Sequence, residues 1–156
     1  MKSYPEKIND FLSQRNIAVT GISSTQPDAA NHVFNKFRNA SYTVYAINPK
    51  VPEVENTKSY PNLTAIGKPV DGVVIASPPG SARSIIEECI KLGITRVWFH
   101  SSVNQGSLDV DAAGLAEING MEVIRTGCPL MYLKPVDFPH KCIRFILNLT
   151  GKVPKK

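Results

Sequence analysis

The side chains suited to chemistry in this chain sit in short turns that follow apolar runs. The first is Gly21-Ile22-Ser23-Ser24, closing a run that begins at Ile17. A glycine followed by small hydroxyls, ahead of an amphipathic stretch, predicts a phosphate cradle. Backbone N–H groups in such a turn lack partners, and the helix that follows favours an anion at its start. The dinucleotide fingerprint G-x-G-x-x-G needs a second glycine for close approach of a pyrophosphate and a third for helix packing. Here the later positions hold Ser23, Ser24 and Gln26, so the expected ligand is a nucleotide held otherwise than NAD. A side chain added at Gly21 is expected to occupy the phosphate position while leaving the protein folded.

The second turn, Asn48-Pro49-Lys50, ends another apolar run. An NAD site places an acidic residue there to bind the ribose diol. Lys50 instead suits a phosphate on the ribose, as in the 2′-phosphate of NADP or the 3′-phosphate of coenzyme A. The third, Ser77-Pro78-Pro79, lacks two backbone donors in succession and presents rigid rings. That wall suits an adenine face or a pantetheine arm. The fourth, His100-Ser101-Ser102-Val103, and the fifth, Gly127-Cys128-Pro129, each end a strand-like run and supply the remaining reactive groups, His100 and Cys128. His32 and His140 have no partner at metal-binding spacing, and no metal is expected. No P-loop and no G-x-S-x-G elbow is present.

These turns need a scaffold, and the hydrophobic pattern supplies one. Strands are predicted over Ile17–Ile22, Tyr42–Ile47, Gly72–Ala76, Thr95–Phe99 and Met121–Arg125, with one further short strand near Ser59–Tyr60. Helices are predicted over Tyr4–Gln14, from an Asp28 cap through Asn39, and over Ser81–Leu92, Asp109–Asn119 and Pro139–Leu149. On the last two, Val110, Ala113 and Ile118, and Ile143, Ile146 and Leu147, are read as facing inward. Strands alternating with helices imply right-handed β-α-β units. The fold class is therefore α/β: a Rossmann-like, doubly wound, mostly parallel five-stranded sheet with helices on both faces. In such sheets ligands bind beyond the carboxyl ends of the strands. That rule selects all five turns.

The 156 residues suit one domain, 1–156, ending in a basic helix and tail over 134–156. Residues 1–133 carry equal numbers of acidic and basic side chains. The net charge of +5 comes from Lys134, Lys141, Arg144, Lys152, Lys155 and Lys156 against Asp137. A nucleic-acid partner would call for a basic stripe with motif support, which is lacking. No apolar run approaches the ~20 residues that span a bilayer. Three widely spaced cysteines suggest neither a disulfide framework nor a zinc site, and the expected compartment is the cytoplasm.

The ordered set Ile17-Ala-Val-Thr-Gly-Ile-Ser, Tyr45-Ala-Ile-Asn-Pro-Lys, Val74-Ile-Ala-Ser-Pro-Pro, Arg96-Val-Trp-Phe and Arg125-Thr-Gly-Cys-Pro resembles the small coenzyme A-binding proteins built on a lone Rossmann-like domain. That domain is similar to the N-terminal domain of the succinyl-CoA synthetase α subunit. The resemblance covers roughly residues 15–133. It implies that Gly21, Ser23 and Ser24 meet phosphates, that Lys50 meets the nucleotide phosphate end, and that Pro78 and Pro79 line the ligand. The synthetases carry a phosphorylated histidine in a following domain, which this sequence does not contain. The expected function is therefore binding of coenzyme A or an acyl-CoA, as a non-catalytic carrier, sensor or accessory module. The rivals are an NADP-linked oxidoreductase and a redox sensor switched by Cys128. The expected ligand-binding residues are Gly21, Ile22, Ser23, Ser24, Asn48, Pro49, Lys50, Ser77, Pro78, Pro79, Ser101, Ser102 and Val103. The expected partner is a small-molecule nucleotide, with homodimerisation left open.

Overall fold

A computed structural model describes residues 2–101 and 106–151. Ser102 and Val103, and the tail lysines Lys152, Lys155 and Lys156, lie outside the described residues. The strands are β1 (Asn16–Thr20), β2 (Thr43–Ile47), β3 (Glu53–Val54), β4 (Thr57–Tyr60), β5 (Gly72–Ile75), β6 (Arg96–Phe99) and β7 (Glu122–Ile124). The helices are α1 (Tyr4–Leu12), α2 (Ala29–Asn39), α3 (Ala82–Leu92), α4 (Val110–Ile118) and α5 (Phe138–Leu149). One sheet forms in the order β3-β4-β2-β1-β5-β6-β7. Every pairing is parallel except β3 with β4. The five predicted strands become seven. β4 falls at the short strand read near Ser59–Tyr60 and pairs with β2, and β3 is a two-residue hairpin partner that no apolar run marks.

Alternation along the strands decides which helix covers which face. Ile17 and Val19 of β1, with Val74, Trp98 and Ile124, pack against α1 and α2. Ala18, with Val73, Ile75, Val97 and Phe99, packs against α3 and α4. Both faces are therefore covered, which is why the strands read as near-continuous apolar runs. Asp28 caps α2 by accepting the Ala30 N–H at 2.9 Å. Asp10 of α1 accepts Arg96 Nε–H of β6 at 2.7 Å, tying the leading helix to the sheet.

Two helices keep only part of their predicted faces, Ala113 on α4 and Ile143 with Leu147 on α5. On α4, Ala112, Ala113 and Ala116 are buried, while Val110 is 65% and Ile118 87% exposed. Three alanines let the helix lie close against its neighbours, and a closely packed backbone leaves no room for larger side chains. On α5, Leu147 is buried and Ile143 half-buried, but Ile146 is exposed, as are Phe138, Phe145 and Leu149.

An aromatic cluster binds α1, α2 and the sheet. Phe11 meets the Trp98 ring edge-on at 5.4 Å between centroids and the Phe37 ring at 6.5 Å. Phe11 is 1% exposed. Phe11→Ala is expected to lower the free energy of urea unfolding by about 3–5 kcal/mol, the cost of deleting a buried aromatic side chain and leaving its cavity.

Candidate functional site

β1 and β5 lie side by side, and the helices that follow them cover opposite faces of the sheet. Their terminal turns diverge, so a cleft opens at this switch point. Gly21 stands in the first turn at φ +83°, and a Cβ built on it would lie 2.6 Å from the Ser77 nitrogen and 2.7 Å from the Ala76 carbonyl. The missing side chain is what lets the two turns approach. This changes the meaning of the glycine. A substituted side chain would strike the backbone after β5 rather than the phosphate space, so Gly21→Val disturbs the fold before it blocks a ligand.

Hydroxyls join the two turns. Thr20 Oγ1 and Ser77 Oγ are 3.0 Å apart, and Ser81 Oγ donates to Ser77 Oγ at 2.7 Å. Asn31 on α2 is buried and shapes the first turn: its Oδ1 accepts the Ser23 N–H at 3.0 Å and its Nδ2 donates to the Ser23 carbonyl at 2.9 Å. Ser23 Oγ accepts the Gln26 N–H at 3.1 Å. Ser23 is thus committed largely to the loop, whereas Ser24 stands exposed on the wall of the cleft.

Asn48 braces the second turn in the same way. Its Nδ2 donates to the Ile22 carbonyl at 2.9 Å, and its Oδ1 accepts the Lys50 N–H at 2.8 Å. Ser59 Oγ donates to the Val51 carbonyl at 2.6 Å, fixing the far side of this loop to β4. Pro49 and Lys50 are held exposed beside the cleft.

The cleft encloses about 860 Å³ and brings Gly21, Ile22, Ser23, Ser24, Asn48, Pro49, Lys50, Ser77 and Pro78 together. Its apolar walls include Leu63 and Ile85, which the sequence reading did not select. β4 delivers the loop carrying Leu63, and Ile85 stands on α3. Neither position carries a motif that would mark it as ligand-facing.

Pro79 borders a second cavity of about 550 Å³, which shares Gly21, Ser77 and Pro78 with the cleft and runs on to His100. His100 is 5% exposed, and its Nε2 has no hydrogen-bond partner among the described residues. Burial lowers the pKa of its imidazole, with Asp28 acting weakly the other way. His100 also lines a third cavity of about 480 Å³ between α2 and α5, together with Cys128. Ser101 lies apart from all three cavities. Its hydroxyl accepts the Gly127 N–H at 2.7 Å and meets Thr126 Oγ1 at 2.9 Å. Trp98 Nε1–H donates to the Gly127 carbonyl at 3.1 Å. The Gly127 loop is thereby clamped through both its N–H and its carbonyl. Cys128, which follows it, is buried, and burial pushes its thiol up to about 12. No helix among the described residues is long and apolar enough to cross a membrane.

The chain matches the family model described as the CoA binding domain over residues 15–134. It is 27% identical over 118 residues to the ADP-forming acetate–CoA ligase I of Archaeoglobus fulgidus, a stretch that covers 72% of this chain and 17% of that protein. Among solved structures, a hypothetical protein from Pyrococcus horikoshii OT3 aligns with a TM-score of 0.74 at 27% identity, covering 82% of this chain and 87% of that one. The dinucleotide-forming acetyl-coenzyme A synthetase 1 of Ca. Korarchaeum cryptofilum, solved with phosphate and ADP, aligns with a TM-score of 0.59 at 26% identity, covering 69% of this chain and 25% of that one.

The burial of Cys128 and Cys89 carries a direct expectation. Both thiols are pushed up to about 12, so at neutral pH neither provides an appreciable fraction of the thiolate that alkylates. Iodoacetamide on the folded protein should modify Cys142 first, and Cys89 and Cys128 should react only in denaturant, as read by mass spectrometry. His100 carries another. Its folded pKa lies below the unfolded value of about 6.5, so between the two the unfolded chain binds more protons. Its contribution to stability is therefore lost as the pH falls from about 6.5 toward the lower folded value. Urea midpoints compared at neutral and mildly acidic pH should drop less for His100→Leu than for the unaltered protein.

Proposed function

The chain belongs to the CoA-binding domain family, and from that premise we propose that it binds coenzyme A or an acyl-CoA in the cleft beyond β1, β2 and β5. In this reading it acts in the cytoplasm as a carrier, sensor or accessory module. Nucleotide and phosphates lie along the Gly21 and Lys50 turns, and the pantetheine arm follows Pro78 toward His100. The observation that carries the reading is Lys50, exposed on the cleft wall where a diol-binding site would hold a carboxylate. A flexible ammonium there fits a phosphorylated ribose.

The apolar walls at Leu63, Ile85 and Pro78 support this choice, because they suit the faces of an adenine ring. The three cysteines are free thiols, in keeping with a reducing compartment. The acetate–CoA ligase relative is about six times longer than the matched stretch, so its ligase activity belongs to much more protein than this chain aligns with. Glu88 and Lys50 apart, the cleft is lined by hydroxyl, amide, proline and apolar side chains, which bind well and transfer few protons near neutral pH. Binding without acyl-CoA synthesis is therefore the reading favoured here. The redox alternative requires an accessible thiolate at Cys128, which its burial opposes.

Calorimetric titration tests the proposal. Coenzyme A should bind more tightly than NADPH and NADH. Lys50→Ala should weaken coenzyme A by about 1–2 kcal/mol, the worth of a charge-assisted contact, and weaken dephospho-coenzyme A less. Tighter binding of NADPH would reassign the cleft to a nicotinamide nucleotide. Steady thioester formation from acetate, ATP and coenzyme A by the pure protein would show it to be an enzyme.

A further inference from the structure

We infer that the cavity between α2 and α5 receives the acyl group of a bound coenzyme A thioester, and that His100 Nε2 hydrogen-bonds the thioester carbonyl. This rests on the coenzyme A reading above and extends it to the ligand's reactive end.

Three observations converge on His100. The second cavity shares Gly21, Ser77 and Pro78 with the nucleotide cleft as wall residues. The second cavity meets the third at Ala29 and His100. A ligand anchored by its nucleotide and threaded along this path therefore passes His100 before it reaches the third cavity. At that junction stands a buried imidazole whose Nε2 lacks a partner among the described residues. A buried polar atom left unpaired is unfavourable, so a ligand that pairs with it gains what the free protein lacks. A neutral imidazole can present an N–H at Nε2. A thioester carbonyl accepts such a bond, whereas the free thiol of coenzyme A offers only a weak acceptor.

The walls of the third cavity indicate which acyl group fits. Cys128, Leu130, Met131 and Ile143 make its deeper part apolar. The charged groups around it already have partners. Lys36 Nζ donates to the Pro135 carbonyl, and Asp137 Oδ1 meets His140 Nδ1 at 2.6 Å and accepts the His140 N–H at 2.9 Å. His32 lies on its exposed side. This arrangement calls for a short uncharged acyl chain rather than a carboxylated one. Asp137, His140 and Ile143 lie beyond residue 134, where the match to the family ends. The acyl preference is thus written partly in a helix outside the family domain.

Titration with free coenzyme A, butyryl-CoA and succinyl-CoA tests this. The unaltered protein should bind butyryl-CoA roughly tenfold more tightly than coenzyme A, and succinyl-CoA no more tightly than coenzyme A. His100→Leu should lower the butyryl-CoA to coenzyme A ratio several-fold, leaving only the gain from apolar burial of the acyl chain. His100→Gln, which restores an N–H donor, should recover most of it. The infrared band of a carbonyl-labelled butyryl-CoA should move to lower frequency on binding the unaltered protein, and not on binding His100→Leu. A ratio near one in the unaltered protein, equal losses for both ligands in His100→Leu, or an unmoved carbonyl band would overturn the inference while leaving coenzyme A binding intact. If coenzyme A itself fails to bind, the reading beneath falls and this inference falls with it.

Discussion

The site depends on one close approach. The turns after β1 and β5 come so near that a Cβ on Gly21 would lie 2.6 Å from the Ser77 nitrogen. Two parallel strands whose helices leave in opposite directions must open a cleft. How wide it opens is set by how far the first turn can fold against the second. The glycine sets that distance, and the hydroxyl relay from Thr20 through Ser77 to Ser81 holds it. The second cavity lies against both turns as well, so their contact is a wall common to the cleft and to the space that reaches His100.

Around this contact, the loops are shaped by asparagines rather than by ligand. Asn31 holds Ser23, and Asn48 holds both Ile22 and Lys50. Asn31 also donates to Glu55, which accepts from Asn35 Nδ2 at 2.8 Å, and these bonds lower the Glu55 pKa, that from Asn35 most. The first turn, α2 and the β3–β4 hairpin are thereby braced together. A site with its loops fixed in advance loses less ordering entropy when a flexible ligand enters. The same bonds occupy donors that an isolated turn would offer to a phosphate, so recognition relies more on shape and on Lys50.

The parallel core was legible because burial on both faces makes each strand a continuous apolar run, as in Val73–Ile75 and Val97–Phe99. The outer strand β3 was not. Val54 is its one apolar residue, and the turn that joins it to β4 takes positive φ at Glu55 and Asn56, where an Asn-Gly signal would normally announce it. Helical periodicity placed Ala113 of α4 correctly but misled on Val110 and Ile118, because the face that meets the neighbouring helix is built on Ala112, Ala113 and Ala116. For the site, Gly21, Lys50 and Pro78 could be read because each carries a chemical reason at a strand end. Asn31 and Ile85 could not, since their roles arise from the tertiary placement of helices. Ser101 shows the converse: its position at a strand end is as expected, yet its hydroxyl is engaged by Gly127.

Trp98 is the sole tryptophan of the chain and is fully buried between the Phe11 and Tyr132 rings. Its indole N–H is bonded to the Gly127 carbonyl, and His100 stands two residues further on, just past the end of β6. The molecule therefore contains its own optical probe. Indole emission responds to the strength of that single hydrogen bond and to the polarity around the ring. Any event that shifts the Gly127 loop alters the colour of the protein's fluorescence, with no label attached and no competing tryptophan to obscure it.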